Sequence, residues 1–286
     1  MVLASAAGFA TLPILIKVAY SAGTNTMTIL ATRFVLASLC LWLILHHQGL
    51  SARVTRRDAA SLCLLGIVGY GAMSTSFAAS LHYLPASLCS MLLYTYPAIV
   101  ALLSFSFKLE EFNWQKGLAL SVCFIGLFLI LGVSFSGIHW LGIVLGLSSS
   151  LLYSAYILAG NFLLKNVNPL VATTYVCTSA AITFMIAAVV SGDYLPLSPT
   201  GWGILLAMAL LSTIVGILGC FAGISRIGAV NTSIISTAEP VMTVLMSILL
   251  LGENITPAQL CGGGLILAGI LILQLWAEKQ TAAAAN

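Results

Sequence analysis

The chain has 286 residues, of which 60% are hydrophobic and only 6% charged, with a formal net charge of +3. A soluble domain carries roughly 25% charged residues, so a mean hydropathy of +1.12 excludes a chain wetted on all sides and leaves an all-α, polytopic membrane protein. The small positive balance is no nucleic-acid signal, and the seven cysteines, all inside apolar runs and without ligand spacing, indicate neither a disulfide framework nor a metal site.

A bilayer span needs about 20 apolar residues. In chain order such runs fall at 2–20, 27–46, 59–80, 84–107, 113–132, 139–163, 168–190, 200–225, 229–251 and 256–277, which predicts ten transmembrane helices. The first run has no basic leader and no cleavage site, so it reads as a helix that directs its own insertion rather than as a signal peptide. The connections are short and rich in breakers or charge: 21–25, 53–58, 134–137 and 192–199. Asn113 is placed to cap span five, and Thr256, followed by Pro257, to open span ten. The alanine-rich end, 279–286, reads as a disordered tail.

Sliding the sequence by half its length brings Pro97 onto Pro240, Glu110 onto Glu253, Asn113 onto Thr256, Gly126 onto Gly269 and Asn25 onto Asn168. The chain thus divides into two five-helix repeats, 1–137 and 138–278, followed by the tail. An odd number of spans per copy turns the second copy upside down. Inverted repeats of that kind are the architecture of secondary transporters. Eight of the ten basic residues (Arg53, Arg56, Arg57, Lys108, Lys116, Lys165, Arg226 and Lys279) fall in loops on the side of both termini. The positive-inside rule makes that side cytoplasmic, in the cell (inner or plasma) membrane.

Few residues can carry chemistry. Glu239 is the one acidic residue of span nine, near the bilayer centre, where a charge costs about 2.5–3.5 kcal/mol on insertion scales. It must face a polar cavity, be paired or be protonated, which suits coupling or substrate contact; a structural carboxyl is the competing reading. Pro97 and Pro240, inside spans four and nine, each remove a backbone hydrogen bond and suggest paired hinges. Arg33, about two turns into span two, and Lys17, near the end of span one, suggest a positive vestibule for carboxylates or phosphates, although Lys17 is close enough to an end to snorkel. Tyr94, Tyr96, Tyr153, Tyr156 and Asn161 offer rings and hydrogen bonds to a small organic solute; with the serines of span six they equally suit helix-to-helix ties. The glycines of spans five and ten allow close approach within the chain or in a homodimer, so monomer and homodimer both stand. A lone His82 at the end of span three reads as interfacial.

Several elements together resemble a known family: Arg33-Phe34 early in span two, Tyr96-Pro97 and Leu109-Glu110 in the first half, and Glu239-Pro240, Leu250-Leu251-Gly252-Glu253 and Gly262–Gly264 in the second. With ten spans and the repeat they resemble EamA-type members of the drug/metabolite transporter superfamily. Glu110-Glu111 departs from the Gly-Glu usual in the first half. The resemblance implies transport of small metabolites, often efflux, by alternating access without ATP hydrolysis or a cofactor. Glu239 with Arg33 suits a zwitterion, so amino acids or related solutes lead. Nucleotide sugars, nucleobases and drugs are the alternatives on the same fold, and a channel or scaffold without coupling is the alternative class. No nucleophile–base set, His-Glu-x-x-His run or phosphate loop indicates an enzyme.

Overall fold

A computed structural model describes residues 1–80, 83, 92–109, 114–131, 139–251 and 256–285. Every regular element among them is helical. Helices α1 (Val2–Ser21) and α2 (Thr26–His47) are followed by α3 (Arg56–Leu64), a π-helical segment (Leu65–Ala72) and α4 (Met73–Ser80) in one rod. Then come α5 (Tyr96–Ser106), α6 (Trp114–Leu131), α7 (Trp140–Leu163) and α8 (Pro169–Ser191). A second rod joins α9 (Pro199–Ala207), a π-helical segment (Met208–Val215) and α10 (Gly216–Ser236), before α11 (Ala238–Leu251) and α12 (Pro257–Ala285). Six helices among the described residues are long and apolar enough to cross a membrane, and three shorter apolar helices lie at Tyr96–Ser106, Trp114–Leu129 and Leu260–Ile272.

Local chemistry sets the boundaries. The side chains of Asn25 and Asn168 accept from Thr28 N and Leu170 N, and those of Thr55 and Ser198 from Asp58 N and Gly201 N, so four helix starts have an orphan donor met by a cap. These two pairs are related by the half-length offset, as are both ends of the two π-helical segments. A π-helix is rare and leaves a widened turn; here the widened turns meet close neighbours. A Cβ on Gly66 would fall 2.6 Å from Val176 O on α8, and one on Gly8 would fall 2.5 Å from Leu211 O in the second π segment.

The span pattern needs two adjustments. The chain passes from α9 to Ser236 with helical hydrogen bonding, broken at Gly228 (φ 80°, ψ 172°). That conformation belongs almost wholly to glycine, so a single residue makes the corner between spans eight and nine. The last helix continues through the alanine-rich end to Ala285, where the sequence reading expects no order; alanine has the highest helix propensity.

The two halves meet along reciprocal contacts. A Cβ on Gly126 would lie 2.5 Å from Gly262 O and 2.9 Å from Ile266 N, and one on Gly269 would lie 2.8 Å from Ala119 O and 2.6 Å from Cys123 Sγ. Cys123 Sγ also reaches Ile266 O, at 3.7 Å. Residue numbers rise on α6 as they fall on α12, so these helices cross antiparallel, and shifting by half the chain exchanges one set of contacts for the other. Gly126 and Gly269 therefore serve packing between the halves of one chain. In lipid such packing, not water exclusion, holds helices together.

Two equivalent straps finish the fold. Residues 49–55 follow α2 and residues 192–198 follow α8, each opening on a glycine of positive φ (Gly49, 62°; Gly192, 71°). The second strap is tied to the start of α2: Asn25 Nδ2 donates to Asp193 O (2.5 Å), Thr28 Oγ1 to the same oxygen (3.5 Å), Leu195 N to Thr28 Oγ1 (2.8 Å), and Thr32 Oγ1 pairs with Tyr194 Oη (3.0 Å). The first strap is tied to α8, where Tyr175 Oη donates to Ala52 O (3.1 Å).

Candidate functional site

Two helix breaks build the site. The chain turns at Tyr94-Thr95 before α5 and at Thr237 before α11. Pro97 and Pro240 consequently sit in the first turn of new helices, which corrects the expectation of kinks in helix interiors. The physical reason is that first-turn N–H groups have no intrahelical acceptor, so proline loses nothing there. Each break is folded back by a threonine: Thr95 Oγ1 donates to Leu92 O (2.7 Å) and Thr237 Oγ1 to Ile234 O (2.6 Å). Helix α7 braces the first break, with Ser150 Oγ 2.9 Å from Thr95 Oγ1 and Ser154 Oγ donating to Tyr96 O at 3.3 Å. These buried serines act as ties between helices.

Glu239 occupies the first turn of α11, where the amide dipoles favour a negative group. It is half-buried. The Tyr94 hydroxyl lies against its carboxyl, and Tyr96, Tyr153, Tyr70 and Cys220 stand within electrostatic reach. Among the described residues no cation is within ion-pair distance of it.

From this pole a ladder of rings crosses the protein interior. Tyr96 meets Tyr153 edge-on (centroids 4.7 Å), Tyr153 stacks on Tyr156 (5.7 Å), Tyr156 meets Tyr70 edge-on (5.7 Å), and Tyr70 meets Phe34 (5.3 Å). Phe221 stacks on the Tyr156 side and Phe184 on Phe34. At the far end the Arg33 guanidinium lies 4.7 Å from the Phe34 ring centroid and beside the Tyr70 hydroxyl. Arg33 is 3% exposed, a charge held inside the protein rather than in an open vestibule.

The structure thus brings together Glu239, Arg33, Tyr94, Tyr96, Tyr153 and Tyr156. Asn161 stands apart, in the last turn of α7, and no ring contact or hydrogen bond among the described residues joins it to the ladder. Lys17 belongs to α1, but its side chain is outside the described residues, as are His82, Asn113 and Glu110. The sequence assigns no site role to Phe34, Tyr70, Phe221 or Cys220, all at or near full burial. Tyr70 carried a readable sign, a tyrosine between Gly69 and Gly71 at mid-span. A shallow groove of about 310 Å³ between α2 and α8, lined by Val35, Leu39, Ile182 and Ile186 among others, is aliphatic and lies outside this cluster. No group of three metal-ligating side chains occurs among the described residues.

Residues 1–132 and 140–275 each match the EamA-like transporter family. The chain belongs to that family. Its relatives include the uncharacterized transporter YyaM of Bacillus subtilis, 27% identical over 84% of this chain and 82% of the relative, and the threonine/homoserine exporter RhtA of Escherichia coli, 26% identical over 88% and 82%. A solved crystal structure shares this fold with a TM-score of 0.83 over 98% of this chain and 96% of that one, at 16% identity. The EamA chain is therefore a multi-pass membrane transporter of the drug/metabolite superfamily and not an enzyme.

Proposed function

We propose that the protein is a secondary transporter that exports small metabolites, amino acids or related zwitterions, by alternating access coupled to protons. Two units, 1–137 and 138–278, each contribute five spans in opposite orientation, with both termini in the cytoplasm. The reciprocal antiparallel contacts of α6 and α12 and the two family matches support that reading, and the distribution of basic loops supports the orientation. Amino-acid export rests on the similarity to RhtA and on a site with one acidic and one basic pole.

The observation that carries the reading is Glu239, in the first turn of a broken helix, against Tyr94 and, among the described residues, without a cation in reach. Such half-helix ends at mid-membrane are where transporters of this build hold substrate and coupling ions. Pro97 and Pro240 mark where each broken span re-enters a helix, and the turns before them are the hinges. Stacked tyrosines also suit planar solutes, which keeps nucleobases and aromatic drugs as a second reading.

The test is flux in proteoliposomes. Wild type is expected to accumulate labelled amino acid under an imposed pH gradient and to perform counterflow without one. Glu239→Gln is expected to lose the gradient-driven component by about tenfold or more, equivalent to at least 1.4 kcal/mol. Full gradient-driven flux in that variant would exclude coupling at Glu239, and counterflow of nucleosides in place of amino acids would favour the second reading.

A further inference from the structure

From the middle of the ladder to its end remote from Glu239, two buried polar atoms lack partners among the described residues. Arg33 Nε and Tyr156 Oη are buried and find no hydrogen-bond partner among the described residues; their residues are 3% and 2% exposed. Between them stands Tyr70, 5% exposed, its hydroxyl beside the guanidinium and its ring 5.7 Å from that of Tyr156. Native proteins seldom leave buried donors unmet, because each forfeits its hydration without replacement. Two orphan donors on either side of one tyrosine therefore describe a site built for something that accepts.

The walls narrow the choice. Phe34, Phe184 and Phe221 are uncharged and fully or nearly fully buried, and the Cys177 thiol lies within the electrostatic reach of Arg33. One cation balances one negative charge. A carboxylate presents two coplanar oxygens to a guanidinium edge and accepts from hydroxyls as well. A phosphate dianion would require a second cation, and the other basic residues whose side chains are described lie in loops or near helix ends.

We infer that Arg33, Tyr70 and Tyr156 form a pocket for the carboxylate of the transported solute, distinct from the Glu239 pole. The inference rests on the transporter reading for the ligand's source. It deepens that reading by assigning the acidic group of the solute to one end of the ladder. Recognition of the acid is then a property of Arg33, and loss of the carboxylate from the solute should cost as much as loss of the arginine.

The experiment measures binding to the full chain in lipid nanodiscs by thermal shift, with L-threonine and L-threoninamide as probes. Counterflow of the same solutes is measured in parallel. Wild type is expected to prefer the acid. Arg33→Gln should weaken threonine by about 10- to 100-fold and threoninamide hardly at all. Tyr156→Phe keeps the ring and its contacts, so it folds where the arginine variant does not; it should weaken threonine by about threefold to tenfold. Arg33→Lys should restore part of the loss. Equal effects of Arg33→Gln and Tyr156→Phe on acid and amide, or a wild type that does not distinguish the two, would overturn the pocket. If counterflow persists in that case, the transporter reading stands without it. If carboxylate binding depends on Arg33 but no solute moves, the pocket stands and the transporter reading falls.

Discussion

The two straps occupy equivalent places in the two halves, and both leave a helix through a glycine of positive φ, yet they are held differently. Residues 192–198 are fastened to the start of α2 by four hydrogen bonds, which use Asn25, Thr28, Thr32 and Tyr194. Residues 49–55 are fastened to α8 by Tyr175. The backbone device is shared and the side chains are not. What the two straps share is backbone geometry, and what differs is how many hydrogen bonds among the described residues hold each. Thr28 is the residue on which the difference turns, because its buried hydroxyl both accepts from Leu195 N and donates to Asp193 O.

The largest expected effect comes from fixing the firmer strap permanently. In an Asn25→Cys/Asp193→Cys double variant, oxidation should lower counterflow by about tenfold or more, with recovery on reduction, if the strap opens in each cycle. Unchanged flux after complete cross-linking would show that this end stays shut throughout. Next in size is Thr28→Val, which leaves the Leu195 N–H unmet and should cost about 1–3 kcal/mol in thermal unfolding. Tyr175→Phe at the other strap should cost about 0.5–1.5 kcal/mol. Equal losses would erase the contrast between the two ends. The smallest contrast is between Gly192→Ala and Gly49→Ala. Neither added Cβ meets anything within 4 Å, so each should cost about 1–2 kcal/mol of backbone strain alone. A clear inequality would reveal contacts that one strap makes and the other lacks.

Much of the scaffold could be read from residue order because its signals are local. Caps such as Asn25 and Asn168 announce helix starts, and apolar runs set their lengths. The half-length offset carries one half onto the other, down to the glycines at the crossing of α6 and α12. The π-helical segments could not be read, since Leu65–Ala72 and Met208–Val215 share no composition that forces a wider turn; tertiary packing selects it. The prolines were visible but their effect was not, because a proline cannot say whether the helix bends through it or restarts before it. The same limit applies to the site. Glu239 and Arg33 stand out as charges in apolar runs, and four tyrosines as polar rings. Phe34 and Phe221 look like ordinary core until the rings are seen in contact.

The ring ladder has a consequence for the membrane itself. A carrier whose two poles lie within one bilayer must not let protons run between them when no solute is bound. Edge-to-face and stacked rings 4.7–5.7 Å apart between centroids place apolar ring faces, rather than a chain of hydrogen-bonding groups, along the line from Arg33 to Glu239. Replacing these rings by small polar side chains is therefore expected to be felt first as proton leak across proteoliposomes, before any loss of substrate affinity.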